Sequence, residues 1–309
     1  MNFDCDLGEY GMALDADRAE KPVRKLRKLL KRMPAVPNAD DIHDFRTSSR
    51  RIEATIHALS LDSGQNGRRF LKQISKLRKR AGKVRGMDVL TDYLSSVSRH
   101  KEETECYVRL LEHLGAQRLK YAEKFESARQ QCASELNKRL KRTSRQMDKL
   151  LPSNGKKDPD QNGMSAAVTA SALTLLAALA KPARLGKTNL HPYRLEVKEL
   201  RNVLLMAENS DRQEFVRQLG EVKDAIGEWH DWEELVATAK TVLDHGVNCG
   251  LLASLRNMAD SKYQNAIILT EEMRKKFLRI SDRRNKRSPR HAAFRPTEPV
   301  WRATAALVA

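Results

Sequence analysis

Apolar residues recur along most of this chain at steps of three and four, the spacing that lines one face of an α-helix. The pattern opens at about residue 18 with a basic amphipathic segment, RAEKPVRKLRKLLKRM, which Pro34 and Pro37 end because proline cannot continue a helix. Asp40 and Asp41 can cap a second helix running to Leu59, and Asp62, Ser63, Gly64, Asn66 and Gly67 have the chemistry of a turn after it. Phe70, Ile74, Leu77, Ala81 and Val84 mark a third helix over about residues 68–98, and a long fourth follows over about 102–150. The stretch LPSNGKKDPDQNG, 151–163, reads as an exposed linker, with prolines and glycines among scattered charge.

Beyond the linker the pattern predicts four more helices, over about 164–181, 192–208, 212–243 and 251–280. The first of them carries the longest apolar run, AAVTASALTLLAALA at 166–180, which is shorter than the ~20 residues that span a bilayer and is expected to be a buried core helix. Residues 1–17 have no sustained period and read as a flexible arm. Residues 281–309, basic and proline-containing, read as a disordered tail in which DRRNKR adds charge.

The second set of helices repeats the first in unusual residues as well as in helicity. A shift of 148 positions lays IHDFRTSSRRIEA over LHPYRLEVKELRN and pairs His43 with His191, Arg46 with Arg194, and Arg50 with Lys198. A shift of 145 lays LRKRAGKVRGMDVL over VKDAIGEWHDWEEL, pairing Arg78 with Lys223, Gly82 with Gly227, Arg85 with His230 and Asp88 with Glu233. The expected architecture is therefore all-α: two pseudo-symmetric four-helix halves, residues 18–150 and 164–280, related by an internal duplication.

Composition agrees with helices and adds a partner class. Only 5% of residues are aromatic, and the chain is long enough to bury a core without disulfides or metals. Lys and Arg number 58 against 40 Asp and Glu, a formal charge of +18, which calls for an anionic partner: nucleic acid, a phospholipid surface or a phosphate polymer. Cys5, Cys106, Cys132 and Cys249 show neither C-x-x-C nor zinc-type spacing and no signal peptide opens the chain, so a cytoplasmic setting is expected.

The charge has a local address. At about 100° per residue His43, Arg46 and Arg50 share an arc of roughly 60°, opposite Phe45, Ile52, Ile56 and Leu59. His191, Arg194, Lys198 and Arg201 form the matching stripe, opposite Tyr193, Val197, Leu200 and Leu204; Pro192 suits the first helical position and so places His191 at the N-cap. One such stripe alone is what any solvated helix face looks like, but surface faces interleave acids with bases and His43, Arg46 and Arg50 contain none. Gly82 and Gly227 sit inside helices at a cost of about 1 kcal/mol each, which points to close approach of a neighbouring helix or of a ligand. Lys72, Lys76, Lys79 and Lys83 make a further exposed basic stripe.

Metal ligation by the histidines is not expected, since neither has a second ligand at i+3 or i+4, and no cofactor is indicated. Catalysis lacks a marked nucleophile or carboxylate pair, as Asp44, Asp88, Asp231 and Glu233 belong to no motif. A donor role toward phosphate fits best.

The pieces HDFRTSSRR (43–51), GKVRGMD (82–88), HPYRLEVKELR (191–201) and IGEWHD (226–231) resemble those of the CHAD family, the conserved histidine alpha-helical domain, over about residues 18–280. The resemblance implies a duplicated helical domain that binds inorganic polyphosphate. It implies that His43, Arg46, Arg50, Arg51, Arg78 and Arg85 line one half of the site. His191, Arg194, Lys198, Arg201 and Lys223 line the other. Two positions depart from the family pattern: Gly86 stands where an acid is usual, and His230 matches Arg85. Some relatives carry a triphosphate-tunnel enzyme with an E-x-E-x-K signature, absent from this sequence, so the resemblance implies binding without hydrolysis. The expected partners are polyphosphate, its granules or a polyphosphate-metabolising enzyme. A general nucleic-acid binder and an accessory module of a polyphosphate or triphosphate hydrolase are the competing readings.

Overall fold

The computed structural model describes residues 16–97, 104–150, 159–206, 212–244 and 249–278. Within them the chain forms α1 (Ala16–Arg32), α2 (Ala39–Ala58), a 3-10 turn (Leu61–Ser63), α3 (Gln65–Ser96), α4 (Thr104–Leu150), α5 (Pro159–Ala180), α6 (Leu190–Leu204), α7 (Gln213–Val242) and α8 (Gly250–Phe277). Among the described residues there is no strand, as the periodicity predicts. Residues 1–15, 151–158 and 281–309, which hold nearly all of the arm, most of the linker and the whole tail, lie outside the described residues.

Local chemistry sets the helix ends, at places slightly different from those expected. The α2 cap is Asn38, whose side-chain oxygen accepts from the Asp41 amide at 2.7 Å; Asp40 and Asp41 sit inside the first turn, against the positive end of the dipole. After α2 the chain reverses at Ser60, held left-handed at φ 52°, and α3 starts at Gln65. Asn66 and Gly67 are thus helical rather than part of the turn, and Gly67 lets this first turn sit on the Leu61 carbonyl, whose carbon a Cβ would approach to 2.8 Å.

The second half differs similarly. Asn189, not His191, holds the N-cap position of α6; its side chain makes no bond to the helix amides but accepts from the Gly186 amide at 2.8 Å and donates to the Arg184 carbonyl at 2.9 Å, ordering the loop before the helix. Pro192 then falls at the third helical position, where its missing N–H is still one that no intrahelical acceptor would meet. Helix α5 starts at Pro159, five residues before the expected Met164, because proline is at home in a first turn. Its apolar run is buried on one face only, through Val168, Ala172, Leu176 and Leu179; the outer face is alanine and threonine, which tolerate water.

Helices adjacent in sequence pack together in the same order in each half: α1 with α2, α2 with α3, α3 with α4, then α5 with α6, α6 with α7, α7 with α8. The halves meet where α2 packs on α6 and α3 on α7. The hydrophobic core does not stop at that divide. One continuous core joins Phe45, Phe70 and Phe125 to Tyr193, Leu200 and Phe215. A second, at the far end of the long α3–α4 and α7–α8 hairpins, packs Leu90, Leu94 and Leu110 with Trp232, Leu235 and Leu255. There Tyr93 stacks on Trp232 with centroids 4.9 Å apart and planes 5° from parallel, and the buried thiols of Cys106 and Cys249 lie 3.8 Å apart. At 47 residues α4 extends about 70 Å and reaches both cores.

Charged tethers fix the hairpins to the loops that precede α2 and α6. Arg118 of α4 donates to Asp88 of α3 at 2.6 Å and to the Pro37 carbonyl at 3.1 Å. Lys187, just before α6, bridges Glu233 of α7 at 3.2 Å and Asp260 of α8 at 3.1 Å. The aligned acids Asp88 and Glu233 therefore position the loops leading into the two basic helices.

Candidate functional site

Because α2 packs on α6, the two basic stripes face one another. Arg46 and Arg50 of α2 lie within electrostatic reach of Arg194 and Lys198 of α6, and Arg51 of Arg201. His43, Arg50 and Arg51 are exposed, while Arg46, His191, Arg194, Lys198, Arg201 and Lys223 are partly buried. Beneath them run α3, which contributes Arg85, and α7, which contributes Lys223, His230 and Asp231.

The two interior glycines are explained by arginine. Arg46 reaches over Gly82 and donates to its carbonyl at 3.1 Å; a methyl there would sit 3.4 Å from the guanidinium, in van der Waals contact. Arg194 lies over Gly227 and donates from Nε to the Lys223 carbonyl at 3.0 Å; a methyl on Gly227 would stand 2.8 Å from its Cζ and 2.9 Å from Nε. The close approach anticipated from the repeated glycines is thus that of a side chain, and it flattens each guanidinium along the helix below. Arg201 does the same with Gly220, donating to the Val216 carbonyl at 3.3 Å.

The histidines occupy corresponding places. His43 stands by Arg85, and partial desolvation and that guanidinium lower its pKa. The His191 ring meets His230 edge-on, centroids 4.2 Å apart, and burial followed by His230, Arg194 and Lys198 lowers its pKa. His191 Nδ1 is buried without a hydrogen-bond partner among the described residues. Lys198 is the most perturbed base: desolvation, then Arg194, Arg50, Arg46 and Lys223, push it down to about 7, and among the described residues no carboxylate pairs with it. Desolvation and the surrounding cations likewise bring Arg46 down to about 10, which leaves it charged at neutral pH.

Not every basic residue singled out from the sequence is available. Arg78 is buried; it donates to Glu53 of α2 at 2.7 Å and to the Ser49 carbonyl at 3.5 Å, so its charge is spent holding α3 to α2. Glu53 also takes Arg50 at 3.3 Å, so the stripe read as free of acids carries one a single turn further on, where extending the i, i+3, i+7 series to i+10 would have found it. Lys223 pairs with the exposed Asp224 at 2.7 Å. The lysine stripe of α3 is exposed, with Lys83 placed over the Tyr121 ring of α4 at 5.4 Å, on the side turned to α4.

Asp231, set aside in the sequence for want of a motif, also belongs to the site; it follows His230 directly. Desolvation raises its pKa in spite of Arg194, His230, Arg46 and Lys198 around it. With Arg85, Tyr93, Arg194 and Glu228 it lines a cleft of about 520 Å³ between α3 and α7. A smaller groove of about 270 Å³ runs between α2 and α6, past Arg50, Glu53 and Lys198. Among the described residues no three His, Cys, Asp or Glu side chains converge as metal ligands would, and no helix is long and apolar enough to cross a membrane.

Fold and face define a class: an all-helical domain in which two short helices, each bearing a histidine and an arginine one turn on, are laid side by side across longer helical hairpins. The family model of the CHAD domain matches residues 22–240, and the chain belongs to that family. PptA from Streptomyces chartreusis shares the fold at 15% identity and a TM-score of 0.52, over 86% of this chain and 96% of that one. Among curated proteins none matches this chain.

Proposed function

We propose that the chain binds inorganic polyphosphate on the α2/α6 face and performs no chemistry on it. The observation that carries this reading is the convergence of Arg46, Arg50, Arg194 and Lys198 from two facing helices, with no ion pair to Lys198 among the described residues. Assembling like charges is unfavourable unless an external anion compensates them, and a linear polymer of phosphates supplies anions along the whole face. Membership of the CHAD family supports the choice of polymer. Arginines take oxygens through forked donors, Lys198 acts as a point charge, and His43 and His191 donate at the rim. In the cell such a face serves to bring the protein to polyphosphate granules or to an enzyme that makes or consumes the polymer.

Filter binding with long-chain polyphosphate tests this. Retention is expected to fall steeply with salt, about 10³-fold between ~50 and ~200 mM for six to ten phosphate contacts by analogy with DNA. The double variant Arg50→Glu with Lys198→Glu leaves the glycine-packed arginines in place and is expected to abolish retention; equal retention sinks the proposal. Displacement by duplex DNA at equal phosphate concentration would favour general nucleic-acid binding instead. Release of phosphate from the polymer with added magnesium or manganese would show that the chain is also a hydrolase.

A further inference from the structure

Lys198 is an unusual lysine in its setting. Its amine is partly buried in the groove between α2 and α6. From α2 it faces Arg46 and Arg50, with Glu53 and His57 further along the groove; from α7, Lys223 and Asp231; from its own helix, Arg194, with Glu199 at the groove edge. Helix α5, which also packs on α6, has no charged residue over 166–180. Glu53 is taken by Arg78 and Arg50, and no carboxylate lies within ion-pair distance of Lys198 among the described residues. Four cations thus press on one amine that has no ion pair among the described residues.

Resting on the polyanion reading above, we propose that this face binds its polyanion together with protons, with Lys198 as the main group that takes one up, so that pH in the neutral range sets the affinity. The ligand-free amine loses its proton near pH 7, far below an ordinary lysine. Phosphates laid across Arg46, Arg50 and Arg194 reverse the sign of the surrounding potential and make the ammonium the favoured form. Proton and polyanion then strengthen one another by the same factor, as linkage requires. The sign follows: below about pH 7 the amine is already charged and affinity is flat from this group, and above it affinity falls by up to about tenfold per pH unit. His43 and His191, both lowered, extend the trend below pH 6.5.

The test is calorimetric titration of the full chain with long-chain polyphosphate at pH 7.5, in two buffers of different ionisation enthalpy. Dextran sulfate, which has no titratable groups, serves as a second probe to exclude protons taken up by phosphate ends. The expected result is uptake of about one proton per site with both probes. Lys198→Arg, charged at every pH used, is expected to lose this uptake and to bind more tightly than the parent at pH 9. Lys198→Gln is expected to bind more weakly than the parent at pH 6 and to lose the pH dependence above pH 7. Binding with equal heats in the two buffers, or a Lys198→Arg protein with the parent's pH dependence, overturns the proposal. Absence of binding by the parent at every pH overturns instead the function on which it rests.

Discussion

The two halves use one backbone plan and place their internal counter-charge differently. In the first, Glu53 neutralises Arg78 from below and touches Arg50 from the side. In the second, Arg201 stands at the position aligned with Glu53 and Lys223 at that of Arg78, so this acid is missing; the carboxylate is instead Asp231, aligned with Gly86 of the first half. The first half is thereby stitched together by an ion pair under its basic helix, while the second leaves Lys198 without an ion pair among the described residues. The stitched half supplies rigidity and the uncompensated half supplies an unmet demand for anions.

That contrast can be broken most strongly at the stitch. Arg78→Ala removes the shorter of the two ion pairs to the partly buried Glu53, leaving it only Arg50 at 3.3 Å, and is expected to cost about 2 kcal/mol in urea denaturation. The aligned Lys223→Ala, whose partner Asp224 is exposed, is expected to cost ~0.5 kcal/mol or less. A similar inequality holds for the tethers: Arg118→Ala orphans the buried Asp88 at about 2 kcal/mol, whereas Lys187→Ala touches only solvated acids and is expected to stay within ~0.5 kcal/mol.

The glycines sharpen the comparison in binding. Gly227→Ala forces Arg194 off its bed and is expected to weaken polyphosphate binding roughly tenfold by filter assay. Gly82→Ala, with ordinary contact to Arg46, is expected to retain binding and gain up to about 1 kcal/mol of stability from helix propensity. Lys198 itself weighs on the ligand-free protein. Its folded pKa is about 7 against 10.5 for free lysine, so between those values the unfolded chain holds the extra proton and stability rises with pH; below about 7 the penalty is carried in full. Lys198→Met is therefore expected to stabilise the ligand-free chain by about 1 kcal/mol at pH 6, after solvent screening, and by less at pH 9.5.

The helices and both basic stripes were legible in the sequence because each is a property of one helix: Phe45 and Ile52 fix the buried face of α2, and His43, Arg46 and Arg50 follow on the other. What spans helices was not legible. The pairing of Arg78 with Glu53 needs α3 against α2, and nothing local distinguishes that arginine from its exposed neighbours. The cost of Gly82 and Gly227 was readable, but which atoms came close was not, since Arg46 and Arg194 lie far away in sequence. His191 was misplaced by one feature, Pro192, because proline fits anywhere in a first turn and the N-cap position falls two residues earlier, at Asn189.

The Tyr93–Trp232 stack gives the molecule an optical gauge. Tyr93 lines the cleft with Arg85 and Arg194, and the ring stacked on it belongs to one of only three tryptophans in the chain. Indole emission responds to stacking and local field, so any shift of α3 over α7 as the basic face fills is written into intrinsic fluorescence. With Trp229 and Trp301 replaced by phenylalanine, that signal follows the junction of the two halves without a label.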